Sequence, residues 1–361
     1  MKQPVFFSSI AELTQQETIA KLLNLQLKEF SFSREPIVAN YSDAIIERIQ
    51  LHMPDETIQS CILKQFDASS DWLMHVAGDT LCREVQFAQS PLWENVPETI
   101  VSPLLACAYD GKSKGALLMS DVRQWLFPIE LWYTKPDFSL IARILDNFSA
   151  MHAKFWGDST LSLIPWLMPS ANSLFMYTPK YLRTLKKQNK YTEEMFVLWE
   201  QVWKLLDVAD AIAIQQTLAD PTHLLKAVEQ APLTLVHGDA HVANAGEQNG
   251  KLIFIDWAFV TAAPATFDSL WLAITWRGMD PDRVLAYHRN ALMQCGVVDV
   301  QDDEVWQLLV DLGWVRAVFL GAYALAGDVV DRSYGVPQDQ AMHNLLFWCY
   351  RAAEILRKRK W

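Results

Sequence analysis

The sequence predicts an α+β protein of two lobes, a small N-terminal lobe built on an antiparallel sheet and a large, mainly helical C-terminal lobe. Three observations predict it. Between residues 30 and 66 the chain passes through three segments rich in apolar and β-branched residues, parted by turn residues. From residue 137 onward, apolar residues recur at helical spacing in one segment after another. The chain has 361 residues, 51% of them apolar, which is enough for two lobes with a core each. The division is drawn at 1–120 and 121–361.

In the first lobe, residues 14–27 carry apolar side chains at 19, 22, 23 and 27, a helical stripe, with Thr14 and Glu17 spaced as a capping box. Residues 30–38, 44–52 and 57–66 read as strands, and Met53-Pro54-Asp55-Glu56 as the turn between the last two. Lys64 lies deep in the third strand. A buried lysine needs an opposite charge, since breaking or omitting the partner costs several kcal/mol. Glu84, in the helical segment 79–90, is the candidate; the plainer alternative is a solvated lysine on an edge strand. Residues 103–109 and 115–119 form a hairpin around Asp110-Gly111-Lys112-Ser113-Lys114.

In the second lobe, helices are expected at 137–156, 192–207, 211–227, 266–276, 282–295, 304–330 and 338–358. Among them stands a short apolar strand, 233–236, followed by His237-Gly238-Asp239-Ala240-His241-Val242-Ala243-Asn244 and then Ile253-Phe254-Ile255-Asp256-Trp257. The intervening Asn249-Gly250 is a hairpin signal, because both residues tolerate φ > 0. Asn244 and Asp256 sit symmetrically about Gly250, and their oxygens suit Mg²⁺, a hard cation that shares its coordination with phosphates. Asp-x-x-x-x-Asn, with a further Asp after the next strand, is the spacing at which kinase-type phosphoryl transfer places its base and its two metal ligands. A rival reading takes the alternating His237, Asp239 and His241 as the zinc or iron ligands of a metallohydrolase. Gly238 interrupts that strand, and Asn244 and Asp256 would then have no role. A third reading is a polar loop whose groups only satisfy one another.

These residues resemble the aminoglycoside phosphotransferase and choline kinase superfamily, especially its ecdysteroid-kinase-like branch, marked by His-Gly-Asp-x-x-x-x-Asn followed by Ile-Asp-Trp or Ile-Asp-Phe. The resemblance implies a protein-kinase-like fold, with ATP and Mg²⁺ as cofactors. It makes Asp239 the catalytic base and Asn244 and Asp256 the Mg²⁺ ligands. Lys64 would hold the α- and β-phosphates and pair with Glu84. Leu117-Leu118-Met119-Ser120-Asp121-Val122 is similar to the family's adenine-contacting linker, which puts the backbone at Met119 against the nucleotide, with Ser120 in the usual Glu place. Met151-His152-Ala153-Lys154-Phe155-Trp156 is similar to the branch's Leu-His-Ala-x-Phe-Trp helix end, with His152 structural. Ala263-Pro264-Ala265-Thr266-Phe267-Asp268-Ser269-Leu270 is similar to Pro-x-x-x-Asp-Leu with one Ser inserted. There Asp268, near a helix start, would take backbone N–H groups and help fix the catalytic loop, as His237 would brace it. One departure is the phosphate-covering loop, usually glycine-bearing: residues 34–43 contain none, leaving Ser42 and its neighbours to supply a hydroxyl and amides.

The implied activity is transfer of the γ-phosphoryl group of ATP to a hydroxyl of a small-molecule acceptor. The alternative from another class is a nucleotide-binding regulatory protein without turnover, motivated by the missing glycines. A net charge of −11 and a pI near 5.2 argue against a nucleic-acid partner and would suit a cationic acceptor. Cysteines at 61, 82, 107, 295 and 349 show no pairing pattern, which points to a reducing compartment. With no signal-like start and no run judged long enough to span a membrane, a cytoplasmic protein is expected. Trp257, Trp271, Trp276, Trp306, Trp314 and Trp348 read as core more often than as ligand platform, so the acceptor pocket stays unassigned.

Overall fold

The computed structural model describes residues 1, 3–25, 31–37, 42–53, 55–185, 189–331 and 336–361. The first elements are β1 (Val5–Phe7), α1 (Ile10–Leu13), α2 (Gln16–Leu22), β2 (Ser31–Ile37), β3 (Ile45–His52) and β4 (Ile58–Asp67). Then come α3 (Trp72–Val76), α4 (Arg83–Gln89), α5 (Pro91–Glu94), β5 (Ile100–Val101), β6 (Leu104–Tyr109) and β7 (Lys114–Ser120). The helical stretch holds α6 (Phe138–Lys154), α7 (Ser170–Phe175), α8 (Pro179–Leu182), α9 (Lys190–Leu205), α10 (Val208–Ala219) and α11 (Thr222–Gln230). Last are β8 (Thr234–Val236), β9 (Ala245–Gln248), β10 (Lys251–Phe254), β11 (Thr261–Ala263), α12 (Thr266–Thr275), α13 (Pro281–Gln294), α14 (Asp303–Val330) and α15 (Gln338–Arg359).

The chain divides into two compact units, Met1–Leu126 with Gly246–Ala258, and Phe127–Ala245 with Phe259–Trp361. The α+β class expected from the sequence is the one observed, a strand-rich unit and a helical one.

In the first unit a six-stranded sheet runs in the order β1-β6-β7-β4-β3-β2. It is antiparallel apart from β1, which the sequence reading did not anticipate and which pairs parallel to β6. The strand period of two sorts β4 by face. Cys61 and Leu63 point into a core with Leu13, Ile19, Ile49, Leu51 and Leu118, roofed by α1 and α2, so Lys64 belongs to the opposite face. Thr14 is not an N-cap. Ser9 caps α1, its hydroxyl accepting the Glu12 N–H, and Thr14 ends that helix because the chain turns there before restarting at Gln16. Residues 26–30 and 38–41, which include parts of the expected first helix, of the first strand and of the glycine-free loop, lie outside the described residues. The segment 79–82 is a turn and not helix: Asp79 accepts the N–H groups of Leu81 and Arg83, and Cys82 adopts φ +58 before α4 begins.

The hairpin β9–β10 turns through Asn249 (φ +52) and Gly250 (φ +75), both left-handed as a two-residue hairpin turn requires. The division drawn from sequence put it with the C-terminal lobe. It packs with the first unit because β10 pairs parallel to β5, Leu252 opposite Ile100 and Ile253 opposite Val101.

The second unit is organised on α14, which packs against α9, α12 and α15. Contrary to the expectation that no run reaches membrane-spanning length, α14 is long and apolar enough, but 83% of its apolar window is buried inside the protein. It is a core helix. The single helix expected over 211–227 is two, α10 and α11, since Pro221 has no N–H to continue the ladder. A short antiparallel pair, β8 with β11, sets Val236 opposite Thr261 at the root of the His237–Asn244 loop.

Candidate active site

The loop after β8 is built by a sharp turn. Gly238 takes φ +82, and a Cβ there would come within 2.1 Å of the Phe259 carbonyl oxygen, so only glycine fits. The backbone on either side is held from beneath by Asp268 on α12, whose carboxylate accepts the N–H of His237 (2.9 Å) and of Gly238 (2.9 Å). Asp268 is itself fully buried and bound by His152 Nε2 at 3.1 Å, while His152 Nδ1 lies 3.3 Å from His288 Nε2. Burial acts to raise the Asp268 carboxyl, but its bonds to His152 and to the loop amides hold it below its ordinary range. From the other side Arg316 of α14, with no exposed surface, donates to the carbonyls of Gly238, Phe267 and Ser173. Burial pushes its guanidinium down to about 10, against the pull of Asp268 and Asp239, which leaves it a cation at neutral pH.

Asp239 stands on this braced loop with both oxygens engaged. Oδ1 accepts the indole N–H of Trp271 at 2.8 Å; Oδ2 accepts Asn244 Nδ2 at 3.1 Å and has His241 Nε2 at 3.5 Å. Burial would raise this carboxyl. His241, His237 and the Trp271 donor more than offset that, so Asp239 is kept ionised far below the usual carboxylate range. His237, fully buried, accepts the Asp239 N–H at Nδ1 (3.3 Å), a contact that shapes the loop from within. The Asn244 amide nitrogen is committed to Asp239, to its backbone carbonyl and to its carboxylate, which leaves the amide oxygen as the atom available to a metal.

In the first unit, Lys64 Nζ reaches Glu84 Oε2 at 2.6 Å and Asp256 Oδ1 at 2.9 Å. One cation thus serves two carboxylates. Burial acts against the charged lysine, but Asp256 and Glu84 together raise its proton affinity above normal, and the Glu84 carboxyl is raised by burial and by the like charge of Asp256. Asp256 has φ +62, a left-handed conformation rare for a side-chain-bearing residue and typical of functional loops. Glu84, Leu104, Leu117, Met119, Asp256 and Trp257 line one cleft. Asp121, ending the Leu117–Val122 segment, accepts Arg48 Nε and Ser60 Oγ and so ties that segment to β3 and β4. Ser42 turns its hydroxyl to the Ala44 N–H at 3.3 Å, and the next amide, of Asp43, donates to Asp71.

The Asn244 amide oxygen and the Asp256 carboxylate, each taken by itself, are hard oxygen donors of the type that suits a divalent cation such as Mg²⁺. Among the described residues no group of three or more His, Cys, Asp and Glu side chains is arranged to hold a metal ion.

Arg316, His288 and Arg83 were not singled out from sequence, and Trp271 was read there only as core or platform. Trp271 had a signal: it lies three residues after Asp268 on α12, so both project from one helix face toward one loop. Arg316 also had one, as the single basic residue in the apolar middle of a long helix, where a charge is retained only with partners. His288 and Arg83 had none, because their partners are 136 and 175 residues distant in the chain.

A comparison with curated protein sequences returns no match. Among solved structures the chain is similar to an amicoumacin kinase in complex with AMP-PNP, Ca²⁺ and amicoumacin, at 13% identity over 96% of this chain and 95% of that one, with a TM-score of 0.48. A choline kinase from Cryptosporidium parvum Iowa II is 9% identical over 95% and 97%, with a TM-score of 0.49. A putative aminoglycoside phosphotransferase from Ralstonia eutropha JMP134 is 16% identical over 91% and 93%, with a TM-score of 0.45. Residues 161–298, which span the His237–Asn244 loop, Asp256 and Asp268, match the model of the phosphotransferase enzyme family APH, and this bears out the resemblance to the aminoglycoside phosphotransferase and choline kinase superfamily without distinguishing a branch.

Proposed function

We propose that the protein transfers the γ-phosphoryl group of ATP to a hydroxyl group of a small-molecule acceptor, with Asp239 as the catalytic base and Asn244 and Asp256 as Mg²⁺ ligands. The observation that carries the reading is the state of Asp239. It is a half-buried carboxylate kept ionised, held by the Asn244 and Trp271 donors with His241 Nε2 at 3.5 Å, on a loop braced by Asp268 and Arg316, inside the segment that matches the phosphotransferase family. Mg²⁺, when bound, neutralises charge on the phosphates.

The protein's own groups supply the rest. Lys64, steadied by Glu84, offers a fixed cation to the phosphates of the nucleotide. Asp239 accepts a hydrogen bond from the acceptor hydroxyl and orients its oxygen toward the γ-phosphorus. As the new O–P bond forms and the bond to the leaving ADP oxygen breaks, the hydroxyl proton passes to Asp239. A carboxylate of such low proton affinity is a weak base, so its main contribution is orientation, with proton transfer late, as suits a loose transition state with little nucleophile activation. The nucleotide-binding reading without turnover draws on the glycine-free segment 34–43 and on the Ser42 hydroxyl being engaged with the Ala44 amide.

Incubation with radiolabelled ATP, Mg²⁺ and a panel of alcohols (aminoglycosides, choline-like amines, sterols) tests the reading. Label transferred to an organic acceptor is the expected result; ATP binding without transfer to any member would favour the regulatory protein. Stoichiometric zinc or iron in the purified protein would revive the metallohydrolase. With an acceptor identified, Asp239→Asn should bind ATP like the parent and lose on the order of 10³-fold in kcat, the range for general-base help plus positioning. Parental turnover in that variant would make Asp239 a structural member of its loop.

A further inference from the structure

Asp256 is held in an unfavourable backbone conformation, and the structure contains the means of holding it. A non-glycine residue at φ +62 is strained and persists only where its surroundings over-determine it. Three contacts bear on Asp256-Trp257-Ala258. Lys64 takes the Asp256 carboxylate, and the Trp257 ring lies against Phe87 with centroids 5.0 Å apart. The third is the guanidinium of Arg83, which donates from Nη1 to the Ala258 carbonyl at 2.6 Å and from Nη2 to the Ala77 carbonyl at 2.9 Å.

Arg83 has no exposed surface. A desolvated guanidinium is costly and is retained where its fork fits more than one acceptor. Here it joins the end of α3, at Ala77, to the turn that follows Asp256, while its own N–H is capped by Asp79. Arg83, Glu84 and Phe87 are all on α4, and at i, i+1 and i+4 they serve different partners. Glu84 sets Lys64; Arg83 and Phe87 set the peptides after Asp256. The same short helix therefore fixes both a cation and a carboxylate of the candidate site.

We propose that Arg83, assisted by Phe87, is a positioning residue for the metal ligand Asp256, acting by clamping the Ala258 carbonyl and the Trp257 ring to α4. The proposal rests on the reading of Asp256 as an Mg²⁺ ligand. Outer partners of metal ligands are typically worth 10–100-fold in metal affinity, and Arg83→Lys is the informative change: it keeps the charge but reaches one carbonyl where the fork reaches two.

The experiment is calorimetric titration of ADP into the full-length protein, in EDTA and at a series of Mg²⁺ concentrations, for the parent, Arg83→Lys, Phe87→Leu and Asp256→Ala. In Arg83→Lys, metal-free ADP affinity should match the parent, and the enhancement conferred by Mg²⁺ should fall on the order of 10–100-fold. Phe87→Leu should lose in the same direction and less. If Asp256→Ala keeps the parental enhancement, the metal assignment fails and the proposal with it. If Asp256→Ala loses the enhancement while Arg83→Lys retains it, the proposal alone is overturned. It is also overturned if Arg83→Lys weakens metal-free and metal-bound affinity equally, since the residue then serves only the fold. Should Arg83→Lys not fold, judged by its thermal melt, Phe87→Leu decides, and parental Mg²⁺ dependence there overturns the proposal.

Discussion

Replacing Lys64 by Met and Glu84 by Gln, singly and together, should give strongly unequal and non-additive losses of stability. Lys64 faces carboxylates at 2.6 Å and 2.9 Å; the Glu84 side chain is 9% exposed and that of Asp256 is 42% exposed. Lys64→Met strips the buried Glu84 of its counter-charge and leaves it facing a second carboxylate. Breaking a buried pair from one side costs about 3–5 kcal/mol. Glu84→Gln is different, because Lys64 still has Asp256 and the amide oxygen still accepts. Its net cost should be about 1 kcal/mol, the worth of one hydrogen bond, partly offset by the relief of burying a carboxylate. The double variant removes the orphaned charge, so it should sit well above the sum, with a coupling of about 2–3 kcal/mol, inside the range for residues in contact. Urea unfolding at pH 7 without nucleotide measures it, with m compared across the four proteins to check that only stability changes. The pH dependence has a definite sign. The folded state holds the Glu84 proton more tightly than the unfolded state, since burial and Asp256 raise that carboxyl. Stability from this group is therefore fully present below the ordinary Glu value of about 4.3 and declines as pH rises through the raised folded value. Glu84→Gln should remove that decline. Losses adding to within about 0.5 kcal/mol would refute the shared-cation argument.

Trp271→Phe keeps the ring on α12 and removes only the donor to Asp239 Oδ1; a hydrogen bond to a charged group is worth about 1.5–3 kcal/mol, so turnover should fall roughly 10- to 100-fold with ATP affinity unchanged. Steady-state kinetics beside ATP titration reads this, and an equal loss of ATP affinity would contradict it. Arg316→Met should cost at least about 3 kcal/mol and loosen the loop after β8, because it leaves three buried carbonyls, Gly238 among them, without their donor. Denaturant unfolding together with amide exchange at His237 and Gly238 checks both halves, and unchanged exchange at those amides would show that Asp268 holds the loop by itself.

The sequence by itself determined the parts of this protein whose cause is local. Alternating apolar runs made β3, β4, β6 and β7, Asn249-Gly250 made its hairpin turn, and apolar residues at helical spacing made α6, α9 and α12 to α15. Tertiary structure decided what depends on partners distant in the chain. The helix read over 79–90 begins only at Arg83, since Asp79 caps the later amides through its side chain and competes with the helical ladder. The hairpin carrying Asp256 joined the first unit because Ile100 and Val101 offered a strand edge, which no local pattern of residues 245–257 encodes. Trp271, legible only as core or platform, acquired its bond to Asp239 from the approach of α12 to the loop after β8. The motif named the donors, but the protonation of Asp239 and the conformation of Asp256 were decided by side chains recruited from far along the chain, because a charge's free energy depends on how completely folding removes its water and what it supplies instead.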